Sequence, residues 1–409
     1  MNDLYHHLKT LGIEVGVTPL ESKKRETELP ADLLGGQVIE NLQGNLILIE
    51  NQFNIDTPSI QHAISPIFIG WATSLNFESV NFSDFTIIDI ETTGMLGWGA
   101  VYAFLIGLGN ITTNGILIRQ YLITNPAQEM AQLIEIENQI AKAKGIITYN
   151  GKSFDIPIIS NRYRFYRTHP PFDRLAHLDL LHLTRRIWKE RLPNRALRNI
   201  EAEILDVQRA ENDIPGWLIP QIYSQYLQSQ QAEVLLPVLY HNQMDVYSLG
   251  KLFIHLNTII ENPNLTEMEY LQDQISLARF YAHQKHLEKA KLLYQKCIER
   301  AEDSTQKTQL FEELAYLYKK SKEYINAIPL WEQAAHLGSI NAHIELAKYY
   351  EHIAKDNEKA IHVTIAAINL LESIKFNSID RLNWQSELQY RLERLQRMSK
   401  SYKTNGGKS

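Results

Sequence analysis

The sequence has almost no cysteine. Its 409 residues hold one, Cys297, which excludes an internal disulfide framework and a cysteine-built zinc cluster. Such usage fits a reducing compartment, and Cys297 reads as a packing residue. Long apolar runs are missing too, since no stretch reaches the roughly 20 residues that a bilayer-spanning helix needs. Met1 to Val17 carries Asp3, His6, His7, Lys9 and Glu14 where a secretory leader would be apolar. A cytoplasmic protein with no membrane partner is expected. Nor is there a surplus of positive charge: the net is -6, so any surface for a polyanion must be local. Hydrophobic residues make up 44%, enough for a substantial core, and the length suggests two or three domains.

Against these absences stands one informative stretch, Phe85 to Gly94, reading Phe-Thr-Ile-Ile-Asp-Ile-Glu-Thr-Thr-Gly. Side chains alternate on a strand, so Phe85, Ile87, Asp89 and Glu91 share one face while Thr86, Ile88 and Ile90 fill the other. A strand apolar on both faces is central in a sheet, and this one ends with two carboxylates leaving together. Close carboxylates repel, and burying them is costly unless a cation or donor offsets the charge. No Lys or Arg lies within the stretch. A divalent metal between oxygen ligands would meet the need.

Residues 1–80 read as a lead-in of unassigned role. A weakly patterned helical segment to residue 33 ends in the charged run Glu21 to Glu28, and a hairpin follows: Gln37 to Leu42, Asn45 to Glu50, with Gln43-Gly44 at the turn. After the carboxylates, Gly97 and Gly99 relax the backbone. Val101 to Gly109 and Gly115 to Ile123 then extend the central strand into a three-stranded antiparallel meander. A capping box, Asn125-Pro-Ala-Gln128, starts a helix running to about Lys144, and the strand Ile146 to Tyr149 follows. Strands, helix and strand in this order fit an α/β layer fold. Ser153 is a fair helix cap, which puts Asp155 in a first helical turn over the sheet edge where Asp89 and Glu91 emerge. Leu235 to Ile260 reads as one long helix carrying Tyr240-His-Asn-Gln-Met-Asp245, with His241 and Asp245 on one face.

Asp-Ile-Glu-Thr-Thr-Gly, then Tyr-Asn-Gly-Lys-Ser-Phe-Asp, then His-Asn-Gln-Met-Asp, in this order, resembles the DEDD exonuclease superfamily with its ribonuclease H-like fold. The likeness is closest to the YprB-type ribonuclease H-like domain and covers roughly residues 81 to 260. The resemblance implies a mixed sheet flanked by helices, 3′ to 5′ exonuclease activity, and Asp89, Glu91, Asp155 and Asp245 as the four metal-binding acids. His241 stands where one branch has tyrosine, four residues before the last acid; the other branch has histidine at the position held here by Tyr240. The general base is therefore open between them. His241 lies about 40° round the helix from Asp245 and Tyr240 about 140°, which favours His241, a group that titrates near neutrality. Two Mg²⁺ or Mn²⁺ ions about 4 Å apart could activate water and stabilise the leaving oxygen of a phosphodiester.

Arg162-Tyr-Arg-Phe-Tyr-Arg167 opens a segment to Arg198 with ten Arg and Lys against three acids, Asp173, Asp179 and Glu190. Phosphate contacts and base stacking from such a segment would hold a single strand of DNA or RNA. Thr92, Asn150 and Lys152 beside the acids, with Arg162, Arg164, Arg185 and Arg186, are the candidate nucleic-acid contacts. His177 and Asp179 are candidates to support the metal ligands from behind. Asp213-Ile-Pro-Gly reads only as a turn.

The nuclease-like domain is expected at 81–262 and an all-α array at 263–398. There Leu277-Ala278, Leu314-Ala315 and Leu346-Ala347 recur at steps of 37 and 32 residues, near the tetratricopeptide period of about 34. The resemblance implies a tetratricopeptide-like array that binds a protein partner or caps the domain. Residues 399–409 are expected to be disordered. The expected function is a metal-dependent exonuclease acting on single-stranded ends; the alternative is a catalytically weak nucleic-acid-binding scaffold whose repeats bind protein.

Overall fold

A computed structural model describes residues 30–55, 64–72, 80–94, 101–211, 213–262, 268–373 and 378–405. Most of the expected amino-terminal helix, the charged run at 21–28, Gly97 and Gly99 lie outside the described residues. The chain divides between Glu267 and Met268 into two compact units.

In the first unit, β1 (Gln37–Asn41), β2 (Gly44–Phe53), β3 (Phe85–Thr92), β4 (Ala103–Thr112), β5 (Gly115–Leu122), β6 (Gly145–Thr148) and β7 (Ala176–Asp179) form one mixed sheet, ordered β1-β2-β5-β4-β3-β6-β7. β3 is antiparallel to β4 and parallel to β6. The helices are α1 (Glu129–Ile140), α2 (Asp155–Phe165), α3 (Leu180–Ile187), α4 (Ile219–Ser229) and α5 (Leu236–Glu261), beside shorter turns of helix. α1 follows the expected capping box, with Asn125 accepting from the amide of Ala127, and it stops at Ile140, short of Lys144.

The two faces of β3 meet different partners, as its alternation requires. Ile88 and Ile90 join Phe104, Ile106 and Leu108 of β4 in a core that includes α4, where Tyr223 stacks on Phe104 with ring centroids 3.8 Å apart. On the opposite face Phe85 packs edge-on against Phe253 of α5 at 5.7 Å. α5 crosses β3, β4 and β5, and it can lie close because β4 has glycine where it passes. Gly107 pairs with Asp89 and Gly109 with Ile87. A Cβ on Gly107 would stand 2.8 Å from Val246 Cγ2 and closer still to the Asn242 amide, and one on Gly109 would stand 2.6 Å from Val246 Cγ1.

The structure departs from the sequence reading in several places. The hairpin, expected as a lead-in outside a domain beginning at 81, forms part of the same sheet, because β2 pairs along its length with β5. Leu46, Ile47 and Ile49 are buried there, while Asn41 donates to Ala131 O and Glu135 of α1. Its turn is Leu42-Gln43, with Gly44 already in β2 at φ 136°. Ser153 does not cap α2; Phe154 is the residue before its first turn, and Asp155 is its first residue.

The second unit is built of α6 (Leu271–His283), α7 (Leu287–Arg300), α8 (Ser304–Lys320), α9 (Tyr324–His336), α10 (Ile340–His352), α11 (Asn357–Ser373) and α12 (Ser378–Asn405). The first six pair as hairpins. Ala278, Ala290, Ala315, Ala327, Ala347 and Ala360 are fully buried where paired helices approach, and each hairpin turns through a left-handed lysine, Lys285, Lys322 and Lys355. The expected disordered tail is corrected in part, since α12 continues to Asn405.

Gly107→Ala should overpack the α5 contact by about 1–3 kcal/mol, lowering Tm by roughly 5 °C for a domain of this size. Thermal unfolding followed by circular dichroism measures it. An unchanged Tm would show that α5 moves aside at no cost.

Candidate active site

Three separated segments meet at the end of β3. Asp89 Oδ2 accepts a hydrogen bond from Asn242 Nδ2 at 2.8 Å, and Asn242 Oδ1 accepts in turn from Gln120 Nε2 of β5 at 2.9 Å. This buried amide ties β3, β5 and α5 together. A register shift between Glu91 and Thr92 bulges the strand beside Glu91, and pairing with β4 resumes at Thr92 with Ala103.

Asp155 is delivered by the loop after β6. Asn150 adopts the left-handed conformation, φ 66°, and Gly151 lies against Thr148 so closely that a Cβ would be 2.5 Å from the Thr148 Cβ. The buried carboxylate of Asp179, ending β7, accepts from the amides of Asn150 at 2.8 Å and Lys152 at 3.1 Å, and it also caps α3 through the Leu181 amide. Asp179 thus clamps the loop that starts α2.

α5 supplies His241 and Asp245. His241 Nδ1 stands 2.9 Å from Asp213 Oδ1, and its Nε2 stands 3.7 Å from Asp245 Oδ2. Asp245 Oδ1 accepts from Arg209 Nη2, whose guanidinium also grips Glu201, Nε to Oε2 at 2.7 Å. With only 4% of its side chain exposed, Arg209 is a buried cation among acids.

The acids act on one another. Burial, with the charges of Asp245, Glu91 and Asp155, holds Asp89 well above the usual carboxylate range. Burial dominates at Glu91 as well; His241 and Arg209 relieve it, Asp245 and Asp155 add to it, and the carboxyl is pushed up to about 8. Burial and the charges of Asp179 and Asp245 push Asp155 up to about 7. Burial also raises Asp245 despite His241 and Arg209. At His241 burial opposes the charged form, but the Asp213 hydrogen bond and the charges of Asp245 and Glu91 prevail, leaving it at about 8. Mutual effects of this kind need charges within several ångströms.

As a donor set, four carboxylates without thiolate suit hard divalent cations such as magnesium or manganese. Among the described residues no three His, Cys, Asp or Glu side chains already form a group able to hold an ion; Asp89 is turned to Asn242 and Asp245 to Arg209. The set fits a cation as donors that must close around it.

A family model described as the RNase H superfamily matches residues 86–257, which takes in β3 through most of α5. "Uncharacterized protein YprB" of Bacillus subtilis (strain 168) is 31% identical over 299 residues, 72% of this chain and 71% of that protein. The chain belongs to the family of YprB and carries an RNase H superfamily domain. All four acids, His241, Arg209 and Asp213 lie within the span matched by the superfamily model, and a nuclease-type activity is what membership suggests.

Within this RNase H-like domain other candidates fall less uniformly. His177 bonds Thr148 Oγ1 at 2.8 Å and burial pushes it down to about 4, so it braces β6 rather than any of the four acids. Thr92 donates to Gly94 O at 2.7 Å. Lys152, Arg164, Arg185 and Arg186 are exposed. Tyr240 OH accepts from the Ala210 amide at 2.7 Å. Arg162 is a correction: it forms a bidentate pair with Glu129, Nε to Oε1 at 2.6 Å and Nη2 to Oε2 at 2.7 Å, joined by Tyr166 OH at 2.9 Å. With side-chain exposures of 15% and 4%, this pair tethers α2 to α1 and is no phosphate contact. Asn242, Glu201, Arg209 and Asp213 escaped sequence reasoning. Only Asn242, inside the His-Asn-Gln-Met-Asp motif, carried a usable signal.

Arg162→Met should strand the buried Glu129 and cost about 3–5 kcal/mol, with Glu129→Gln/Arg162→Met recovering most of it in urea unfolding. Unchanged stability with weakened single-strand binding would restore Arg162 to the interface.

Proposed function

We propose that this protein is a metal-dependent exonuclease of the DEDD type, releasing nucleotides from 3′ ends of single-stranded DNA or RNA. The observation that carries the reading is the mutual charge interaction of Asp89, Glu91, Asp155 and Asp245, drawn from three distant segments, with His241 Nε2 beside Asp245. Asp89, Glu91, Asp155 and Asp245 would hold two magnesium or manganese ions. When bound, such ions supply Lewis acidity for the attacking water and the leaving oxygen.

In the neutral form of the ring, which prevails above about pH 8, His241 Nε2 is the acceptor for the proton of the attacking water. The water oxygen bonds to phosphorus as the bond to the 3′ oxygen of the preceding nucleotide breaks, and that oxygen takes a proton from solvent water and leaves as a 3′ hydroxyl, while His241 returns its proton to solvent. The products are a nucleoside 5′-monophosphate and a strand one nucleotide shorter. Exposed Lys152, Arg164, Arg185 and Arg186 are the phosphate contacts of this reading. The helix hairpins of the second unit, with their regular spacing and buried alanines, support a tetratricopeptide-like array that binds a protein partner. One buried cysteine supports a cytoplasmic location.

A second reading, a nucleic-acid-binding scaffold of low turnover, draws on the pairing of Arg209 with Asp245, which neutralises one acid without an ion. End-labelled single-stranded DNA and RNA with magnesium or manganese separate the two. Stepwise release of mononucleotides is expected from wild type. Asp89→Ala/Glu91→Ala should lose on the order of a thousandfold, the several kcal/mol that metal-assisted stabilisation is worth. Equal behaviour of the two proteins would favour the scaffold.

His241→Ala should lower kcat by about 10²–10⁴, while Tyr240→Phe should change it little, since Tyr240 OH already serves the Ala210 amide. Single-turnover rates measure both, and the reverse ranking would reassign the base.

A further inference from the structure

Residues Val207 to Glu211 and Asp213 to Trp217 run over the face of α5 that carries the candidate base. Arg209 reaches Asp245, the Ala210 amide donates to Tyr240 OH at 2.7 Å, and Asp213 meets His241. Asp213 is the member with the most constrained chemistry. Its carboxylate is fully buried, and Oδ2 faces two guanidinium groups, Arg209 Nη1 at 3.3 Å and Arg198 Nη1 at 3.7 Å. Two cations on one oxygen keep the group an anion, and an ionised carboxylate only accepts. The ring nitrogen 2.9 Å from Oδ1 must then carry the hydrogen, so the neutral ring has its hydrogen on Nδ1.

One contact argues the other way. Arg209 Nη1 stands 3.5 Å from the same Nδ1 and could donate to it if that nitrogen were bare. It is at the outer limit for a hydrogen bond, whereas a bare Nδ1 would set two lone pairs face to face at 2.9 Å in a buried place. The shorter contact decides. Nε2 is then the nitrogen with the free electron pair, beside Asp245 Oδ2 at 3.7 Å. Gly216 passes next to it, where a Cβ would stand in ordinary contact with Nε2 at 3.9 Å.

We propose that Asp213 is a positioning residue for phosphodiester hydrolysis: its carboxylate fixes the His241 tautomer with the hydrogen on Nδ1 and aims the free pair of Nε2 at the attacking water. This rests on the exonuclease reading. The proton path is water to Nε2; Asp213 itself neither gains nor loses one, in keeping with the role of a buried carboxylate behind a catalytic imidazole. The turn Asp213-Ile-Pro-Gly216 thereby supplies the orienting acid.

Three measurements on the full chain test it. First, nitrogen-15 NMR of histidine-labelled wild type, with His241→Ala to assign the ring, is recorded at a pH high enough for His241 to be neutral. Protonation on Nδ1 is expected, and protonation on Nε2 overturns the proposal with no substrate or metal involved. Second, Asp213→Asn should lower kcat by about 10²–10⁴ while KM for a labelled single strand stays within about threefold. Third, Asp213→Asn added to His241→Ala should cost no further activity, because the carboxylate acts only through the ring. An equal loss in both backgrounds means a merely structural role and overturns it. If Asp213→Asn does not fold, the ring measurement on wild type decides alone. A wild type no more active than Asp89→Ala/Glu91→Ala defeats the exonuclease reading itself; an active wild type with Asp213→Asn undiminished defeats only the role of Asp213.

Discussion

Close contact between α5 and the sheet is the constraint on which the candidate site depends. A helix axis normally stays some 10 Å from a sheet because side chains fill the gap. Here Gly107 and Gly109 remove them on β4, and Asn242 and Val246 occupy the space. The approach lets Asn242 reach both Asp89 and Gln120, so the helix is held in rotation as well as in distance. Since His241 and Asp245 flank Asn242 on α5, their placement over the end of β3 follows from that buried amide.

Once the acids are together, their electrostatics set the terms. A carboxyl whose folded pKa lies above its unfolded value makes folding less favourable as pH rises from about 4 toward the folded value. Glu91, Asp155 and Asp89 are all of this kind, so the cluster weakens the fold at neutral pH. A site that costs stability and persists is the pattern of function rather than of packing. The protein limits the cost with groups of its own: Asn242 donates to Asp89, and Arg209, anchored by Glu201, donates to Asp245. Behind Asp155 the arrangement differs, because Asp179 is satisfied by three backbone amides and acts as a clamp.

Much of this was legible because local patterns are dictated by neighbours in sequence. The two-faced strand at Phe85–Thr92, the capping box at Asn125 to Gln128 and the long helix around Asp245 all follow from periodicity and caps. The amino-terminal hairpin was legible as a hairpin but not as part of the sheet, since β2 finds β5 across some 70 residues of chain and no local signal states such a pairing. The basic segment misled in one place: Arg162 has the spacing of a surface cation, and only the packing of α2 on α1 brings it to Glu129.

Sequence alone determined which residues could bear charge at a strand end, a helix start and a helix face, because these depend on periods of two and 3.6 residues. It likewise marked the paired helices of the second unit, through alanines small enough for close approach. Only the tertiary structure decided who faces whom: Asn242 on Asp89, Arg209 on Asp245, Asp213 on His241. Those partners are 28 to 153 residues apart, and a buried polar group takes whichever donor the packing brings within 3 Å or so, a matter that no local stretch of sequence encodes.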